Sequence, residues 1–268
     1  MVSDCSIQRI AIIGAGNIAT HLAIALHEAG YVISQIYSRT EVSARTLAER
    51  IGCPWTTRPE NIDGDSELYI FAVSDAALEG LTEHTSANRE ALWVHTAGSM
   101  PMSVFEGKCR RYGVLYPLQT FSKNRPVNFS EIPVFIEADT PDDTARLRNV
   151  AESISRKILE ASSEQRKQLH LAAVFACNFV NHLYAVADGL LAEQGLPFDA
   201  LRPLIRETAA KIETLSPIDA QTGPAVRYDE NVMQKHIALL RDPETQKIYR
   251  LLSDDIHHFA GKNKETKI

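Results

Sequence analysis

Residues 10–19 read Ile10-Ala11-Ile12-Ile13-Gly14-Ala15-Gly16-Asn17-Ile18-Ala19, and Ile18, Leu22, Ala25, Leu26 and Ala29 then recur at helical spacing as far as Gly30. The pattern predicts a buried strand, a tight turn and an amphipathic helix capped by Gly30. Each position of the Gly-x-Gly-x-x-Ala turn has a physical task. Gly14 permits the sharp reversal, Gly16 lets a pyrophosphate approach the backbone, and Ala19 lets the helix pack closely on the strand. The helix N-terminus adds unpaired N–H groups and partial positive charge. Strand before and helix after are the context in which this fingerprint indicates a dinucleotide.

A second strand over Tyr31 to Tyr37 leads through Ser38-Arg39-Thr40 into a helix carrying Val42, Leu47, Ala48 and Ile51, which Gly52 ends. Further strands are expected at Leu68 to Val73, Ala91 to Thr96, Val114 to Tyr116 and Pro133 to Ala138. This alternation predicts an α/β domain with a parallel sheet and helices on both faces. An NAD-binding domain would place a carboxylate at the end of the second strand, and positions 33–40 contain none. Ser38, Arg39 and Thr40 instead offer two hydroxyls and a guanidinium, which suit the 2′-phosphate of NADP(H). Ligands of open sheets sit at the C-terminal ends of strands, so Ala72, Val73 and Ser74 should border the adenosine side. Thr96, Ala97, Gly98 and Ser99 should reach the nicotinamide, with Ser99 a candidate catalytic residue. Ser99 is equally suited to capping a short helix, and His95, inside an apolar strand, to a structural role.

From about residue 140 onward the periodicity is helical. Thr140-Pro141-Asp142-Asp143 opens one helix, Ser162 or Ser163 caps a long one reaching about Glu193, and Asp199, Asp229 and Asp242 start others. The expected organisation is a nucleotide-binding domain over residues 1–161 and an all-α domain over 162–268 for substrate binding and dimerisation. The long helix carries His170, Asn178, Asn181 and His182 in an otherwise apolar segment, where unpaired polar groups cost free energy. At 100° per residue Asn178 and His182 lie about 40° apart and can face one cleft. His182 is the candidate acid and Asn178 the group orienting a carbonyl or imine. Hydrogen bonds in a dimer core are the alternative use of these residues.

Composition excludes several classes. The 268 residues are 44% hydrophobic and 23% charged, as in soluble globular proteins. The longest apolar runs, Leu68 to Val73 and Leu171 to Cys177, fall short of the roughly 20 residues of a bilayer span, so no membrane association is expected. A net charge of −6 without a long basic run gives no footprint for nucleic acid. Cys5, Cys53, Cys109 and Cys177 form no CxxC, which argues against a disulfide framework or a metal site. Met1 to Ser6 has no signal-peptide pattern, and a cytoplasmic protein is expected. The tail from Gly261 to Lys267 reads as a solvated end.

Together Gly14 to Ala19, Ser38-Arg39-Thr40, Ala72-Val73-Ser74-Asp75, His95-Thr96-Ala97-Gly98-Ser99, Pro117-Leu118-Gln119-Thr120-Phe121 and Thr222-Gly223-Pro224-Ala225 resemble a known family. These are Rossmann-like proteins with a C-terminal helical domain of unknown function, assigned by similarity as NADP oxidoreductases. Their plan is similar to pyrroline-5-carboxylate reductase, the deazaflavin-dependent NADP oxidoreductases and the β-hydroxyacid dehydrogenases. The resemblance implies a second domain like that of 6-phosphogluconate dehydrogenase and a homodimer formed through it. It also implies hydride transfer between NADP(H) and a small carbonyl or imine. Two positions depart from it. Tyr116 stands where relatives commonly have His, and Val174 and Phe175 precede Asn178 where β-hydroxyacid dehydrogenases carry a catalytic Lys. The missing lysine favours a non-catalytic NADP(H)-binding sensor or assembly module, whereas Asn178 and His182 favour an enzyme. Nothing in the residues decides for or against a flavin or deazaflavin as hydride partner.

Overall fold

In the computed structural model, which describes residues 7–266, eight strands form one sheet in the order β3-β2-β1-β4-β5-β6-β7-β8. The strands are β1 (Arg9–Ile13), β2 (Val32–Tyr37), β3 (Trp55–Thr56), β4 (Leu68–Phe71), β5 (Leu92–His95), β6 (Arg111–Pro117), β7 (Val134–Ala138) and β8 (Ile158–Glu160). Helices α1 (Asn17–Glu28), α2 (Glu41–Ile51), α3 (Asp75–His84) and α4 (Pro141–Ile154) connect them, and α5 (Ser163–Ala173) follows β8. Alternation along β1 explains the layering. Ile10 and Ile12 pack with Leu22, Leu47 and Val150 of α1, α2 and α4, while Ala11 and Ile13 join Tyr69, Phe71, Trp93 and Leu78 of α3 on the opposite face. Side chains of successive strand residues point to opposite faces, so a sheet buried on both sides reads as a continuous apolar run.

The order reverses between β1 and β4, the switch point at which doubly wound sheets open a crevice. One strand corrects the expected all-parallel sheet: β7 runs antiparallel to β6. A parallel return needs a crossover element, and the connection between them contains only the short 3₁₀ turn Phe129–Glu131. β7 and β8 are parallel again across α4. β8 also corrects the reading that everything past residue 140 is helical.

Ser162 caps α5 in a capping box with Gln165. The helical path expected to run uninterrupted to about Glu193 contains a π-helical turn, Val174–Phe179, before α6 (Val180–Ala192). The chain divides into two compact units after Cys177, within that turn, whereas the sequence placed the domain boundary at residue 161, where the sheet ends. By length and composition alone, Ser163–Ala192 suffices to cross a membrane. The expectation to the contrary came from counting unbroken apolar runs, which interspersed polar residues shorten without making the stretch polar.

The second unit holds α6, α7 (Arg202–Lys211), α8 (Pro217–Ala220), α9 (Pro224–Arg227), α10 (Glu230–Leu239) and α11 (Pro243–Thr266). Asp229 accepts from the Val232 N–H at 3.2 Å and Asp242 from that of Thr245 at 2.7 Å, as caps of α10 and α11. Asp199 lies instead in a 3₁₀ turn, Phe198–Leu201, ahead of α7. Among its described residues the buried apolar side chains are Ala225, Met233 and Ile237, while Leu183, Leu190, Leu196, Leu204, Ile212 and Leu215 are exposed. α11 continues to Thr266, so most of the tail expected to be an irregular solvated end is helical. Cys5 and Met1 to Ser6 lie outside the described residues.

Candidate functional site

A cavity of about 950 Å³ opens at the C-terminal ends of β1, β4, β5 and β6, within the range typical of ligand sites. The turn after β1 forms one wall with Gly14, Ala15, Gly16, Asn17 and Ile18. Gly14 has φ +130°, and a methyl built on it would stand 2.2 Å from the Ala72 carbonyl oxygen; only a bare backbone fits between β1 and β4. No atom lies within 4 Å of a methyl built on Gly16, which leaves room for a ligand. The first backbone bond of α1 runs from Thr20 N–H to Gly16 O, 3.0 Å, so the preceding N–H groups at this helix end remain for an anion. Its first turn carries no acidic residue.

Ser38 and Arg39 line the same cavity at the end of β2, with Arg39 exposed. Ala72, Val73 and Ser74 extend the wall after β4, and Thr96, Ala97, Gly98 and Ser99 after β5. Two expected members stand elsewhere. Thr40 is not part of the lining and serves as N-cap of α2, because the chain turns into the helix there. Ala19 is fully buried among the core side chains under α1, where its small size does the packing task. The donor set fits a phosphorylated dinucleotide: an N–H-rich turn for a pyrophosphate and a hydroxyl–guanidinium pair at the second strand.

The loop after β5 is held by two buried groups. His95 is inaccessible to solvent; its Nδ1 accepts from Ala97 N–H at 3.1 Å and its Nε2 faces Pro101 O at 3.3 Å. These two bonds require the neutral Nε2–H tautomer, and burial, reinforced by the Arg166 charge, pushes its pKa down to about 4. The histidine is therefore structural. Arg166 of α5, 1% exposed, donates from Nε to Ala97 O at 3.2 Å and from Nη2 to Met100 O at 2.6 Å, and pairs with Glu137 of β7. Glu137 also accepts from the Ser163 N–H at 2.9 Å. Sequence reasoning missed this network, because a buried arginine on a helix has no local signature.

Ser99 does not cap the following helix, whose N-cap is Pro101; its hydroxyl donates to the Asp75 carboxylate at the start of α3. With its proton engaged, Ser99 offers the cavity a hydrogen-bond acceptor. Tyr116, also in the lining, has its Oη 3.1 Å from His170 Nδ1. Burial raises the Tyr116 pKa, and the Arg166 charge acts against that rise. A methyl built on Gly98 would come within 2.6 Å of His170 Nδ1, so the imidazole rests directly on the loop backbone.

Every residue lining the cavity belongs to the first unit. Asn178 and His182 belong to the second, where both are exposed. Asn178 lies within the π-helical turn, so the uniform 100° step that placed it beside His182 does not apply there. The residues the structure adds are Tyr116, His170, Asp75 and Arg166.

The description "Rossmann-like domain" matches residues 3–118, and "Domain of unknown function (DUF2520)" matches residues 132–256. A crystal structure described as "putative NADP oxidoreductase BF3122 from Bacteroides fragilis" is 52% identical, with TM-score 0.89, over 94% of this chain and 98% of that one. An imine reductase from Myxococcus stipitatus in complex with NADP⁺ shares the fold at 16% identity and TM-score 0.65, over 96% and 94% of the two chains. A 1-pyrroline-5-carboxylate reductase from Streptococcus pyogenes does so at 13% identity and TM-score 0.64, over 93% and 98%. Curated protein sequences give no match.

Proposed function

The chain belongs to the family of Rossmann-like proteins that carry DUF2520, and from that premise we propose that it is an NADP(H)-dependent oxidoreductase acting on a small carbonyl or imine. The observation that carries this reading is the joining, in one cavity, of the Gly14–Ile18 turn, Ser38 with Arg39, and the Thr96–Ser99 loop. The turn would hold the pyrophosphate, Ser38 and Arg39 the 2′-phosphate, and Thr96, Ala97 and Gly98 the nicotinamide side. When bound, the nicotinamide supplies or accepts the hydride. The chain's residues orient both partners and manage the proton. Asn178 and His182 are proposed for the substrate side, and turnover unchanged in His182→Ala would remove that histidine from it.

We further propose a homodimer formed through the second unit, whose exposed leucines and isoleucines greatly outnumber its buried apolar side chains. A second copy suits this surface better than lipid, because Asn181, His182 and Asp188 on α6 would lie unpaired in hydrocarbon. Free thiols at Cys53, Cys109 and Cys177 suit a reducing cytoplasm.

Calorimetric titration with NADPH and NADH tests the cofactor. Wild type should prefer NADPH. Arg39→Ala should weaken NADPH binding about 10- to 100-fold, the 1.5–3 kcal/mol of a charge-assisted hydrogen bond, and leave NADH binding unchanged. Binding of neither nucleotide would overturn the proposal. A screen of NADPH oxidation against small aldehydes, ketones and cyclic imines then tests the reaction.

A further inference from the structure

We infer that Tyr116 is the proton donor of this cavity and that His170 is the positioning residue that aims and reloads it, an inference that rests on the oxidoreductase reading above. Tyr116 ends β6, beside the loop assigned to the nicotinamide, and is 6% exposed yet part of the cavity lining. Its Oη and His170 Nδ1 are 3.1 Å apart, with the rings edge-on at 6.3 Å and 72°. His170 in turn rests on Gly98, where any side chain would displace it. Three groups therefore interlock: a loop that has no side chain at one point, an imidazole that fills that space, and a phenol that the imidazole holds.

Two other polar side chains of the loop are committed. The Ser99 proton goes to Asp75, and His95 is occupied by Ala97 and Pro101 behind the cavity wall. With His170 as the Nδ1–H tautomer donating to Tyr116 Oη, the phenolic hydrogen is released from the imidazole and can point into the cavity. Arg166, one turn before His170 on α5 and paired with Glu137, carries a buried positive charge that offsets part of the burial disfavouring the phenolate.

In the reducing direction the carbonyl or imine carbon accepts a hydride, with both electrons of the broken C–H bond, from the reduced dinucleotide, which is thereby oxidised. The C=O or C=N π pair moves onto the heteroatom, which takes the proton from Tyr116 Oη. His170 Nδ1 passes its proton to the phenolate while Nε2 takes one from solvent, which its partial exposure allows. One hydride and one proton are consumed, the pair returns to its starting charge, and exchange of the imidazole proton with solvent restores the Nδ1–H tautomer before the next turnover.

The pairing is read first without cofactor. In ¹⁵N-edited NMR of the free protein, Tyr116→Phe should shift the His170 Nδ1 resonance; identical spectra would overturn the pairing. Tyr116→Phe and His170→Ala should bind NADPH within about threefold of wild type by calorimetry. With the carbonyl or imine that gives the fastest NADPH oxidation in the screen, Tyr116→Phe should lower kcat at least 100-fold with KM nearly unchanged and abolish the solvent deuterium effect. His170→Ala should lower kcat about 10- to 30-fold and recover on addition of imidazole, which a purely structural role would not produce. Wild-type turnover in Tyr116→Phe overturns this inference and leaves the oxidoreductase reading intact. No NADPH oxidation by wild type with any probe overturns that reading, and the inference with it.

Discussion

Arg166 donates from Nε to the Ala97 carbonyl at 3.2 Å, so a helix that follows the last strand fixes the backbone of a loop that follows the fifth. The guanidinium is buried and ion-paired with Glu137, whose side chain is 17% exposed. Removing one partner of such a pair leaves a buried charge and two carbonyls unsatisfied. Arg166→Met should therefore destabilise the protein by about 3–5 kcal/mol. Urea unfolding at neutral pH measures this, and a loss below about 1 kcal/mol would contradict the anchoring role.

His95 predicts a dependence of stability on pH. Its folded pKa, about 4, lies below the unfolded value of about 6.5. The unfolded chain therefore binds the proton first as pH falls. The neutral imidazole's full contribution is present above pH 6.5 and is lost progressively down to pH 4, on the order of 3 kcal/mol. In His95→Gln the fall in unfolding free energy between pH 7 and 4.5 should be smaller than in wild type. Parallel curves for the two proteins would refute this prediction.

The dimer proposal turns on Leu183 and Leu190, exposed at 36% and 39% on α6. A buried carboxylate at either position opposes association. Wild type should sediment with twice the protomer mass at micromolar concentration, and Leu183→Glu combined with Leu190→Glu with the protomer mass. A monomeric wild type would end the proposal.

Much of the first unit was legible from local pattern. The run Ile10 to Ile13, the left-handed Gly52 after α2 and the Ser162 capping box are signals carried by a few adjacent residues. β3 and β8 escaped because strands of two and three residues carry no periodicity. The direction of β7 was hidden because it depends on what the intervening chain does not contain. At the site, the glycine turn is legible from its spacing, and Thr96 to Ser99 from their place after an expected strand. The Tyr116–His170 contact joins residues 54 positions apart, and no local pattern links them. The π-helical turn defeated the projection of Asn178 and His182, since a helical wheel assumes one angular step throughout.

The distance along the chain between Arg166 and Ala97, 69 residues, sets an order of events. Synthesis completes β1 to β5 well before α5 exists, and N-terminal segments begin to fold first. The central strands can pair as they emerge, but the loop that would face the nicotinamide is held only by His95 until the guanidinium arrives. A chain cut after β8 should thus keep the paired sheet and a loop tied at His95 but untied at the Ala97 and Met100 carbonyls, so that a fully set nicotinamide wall is the last property this unit acquires during its birth.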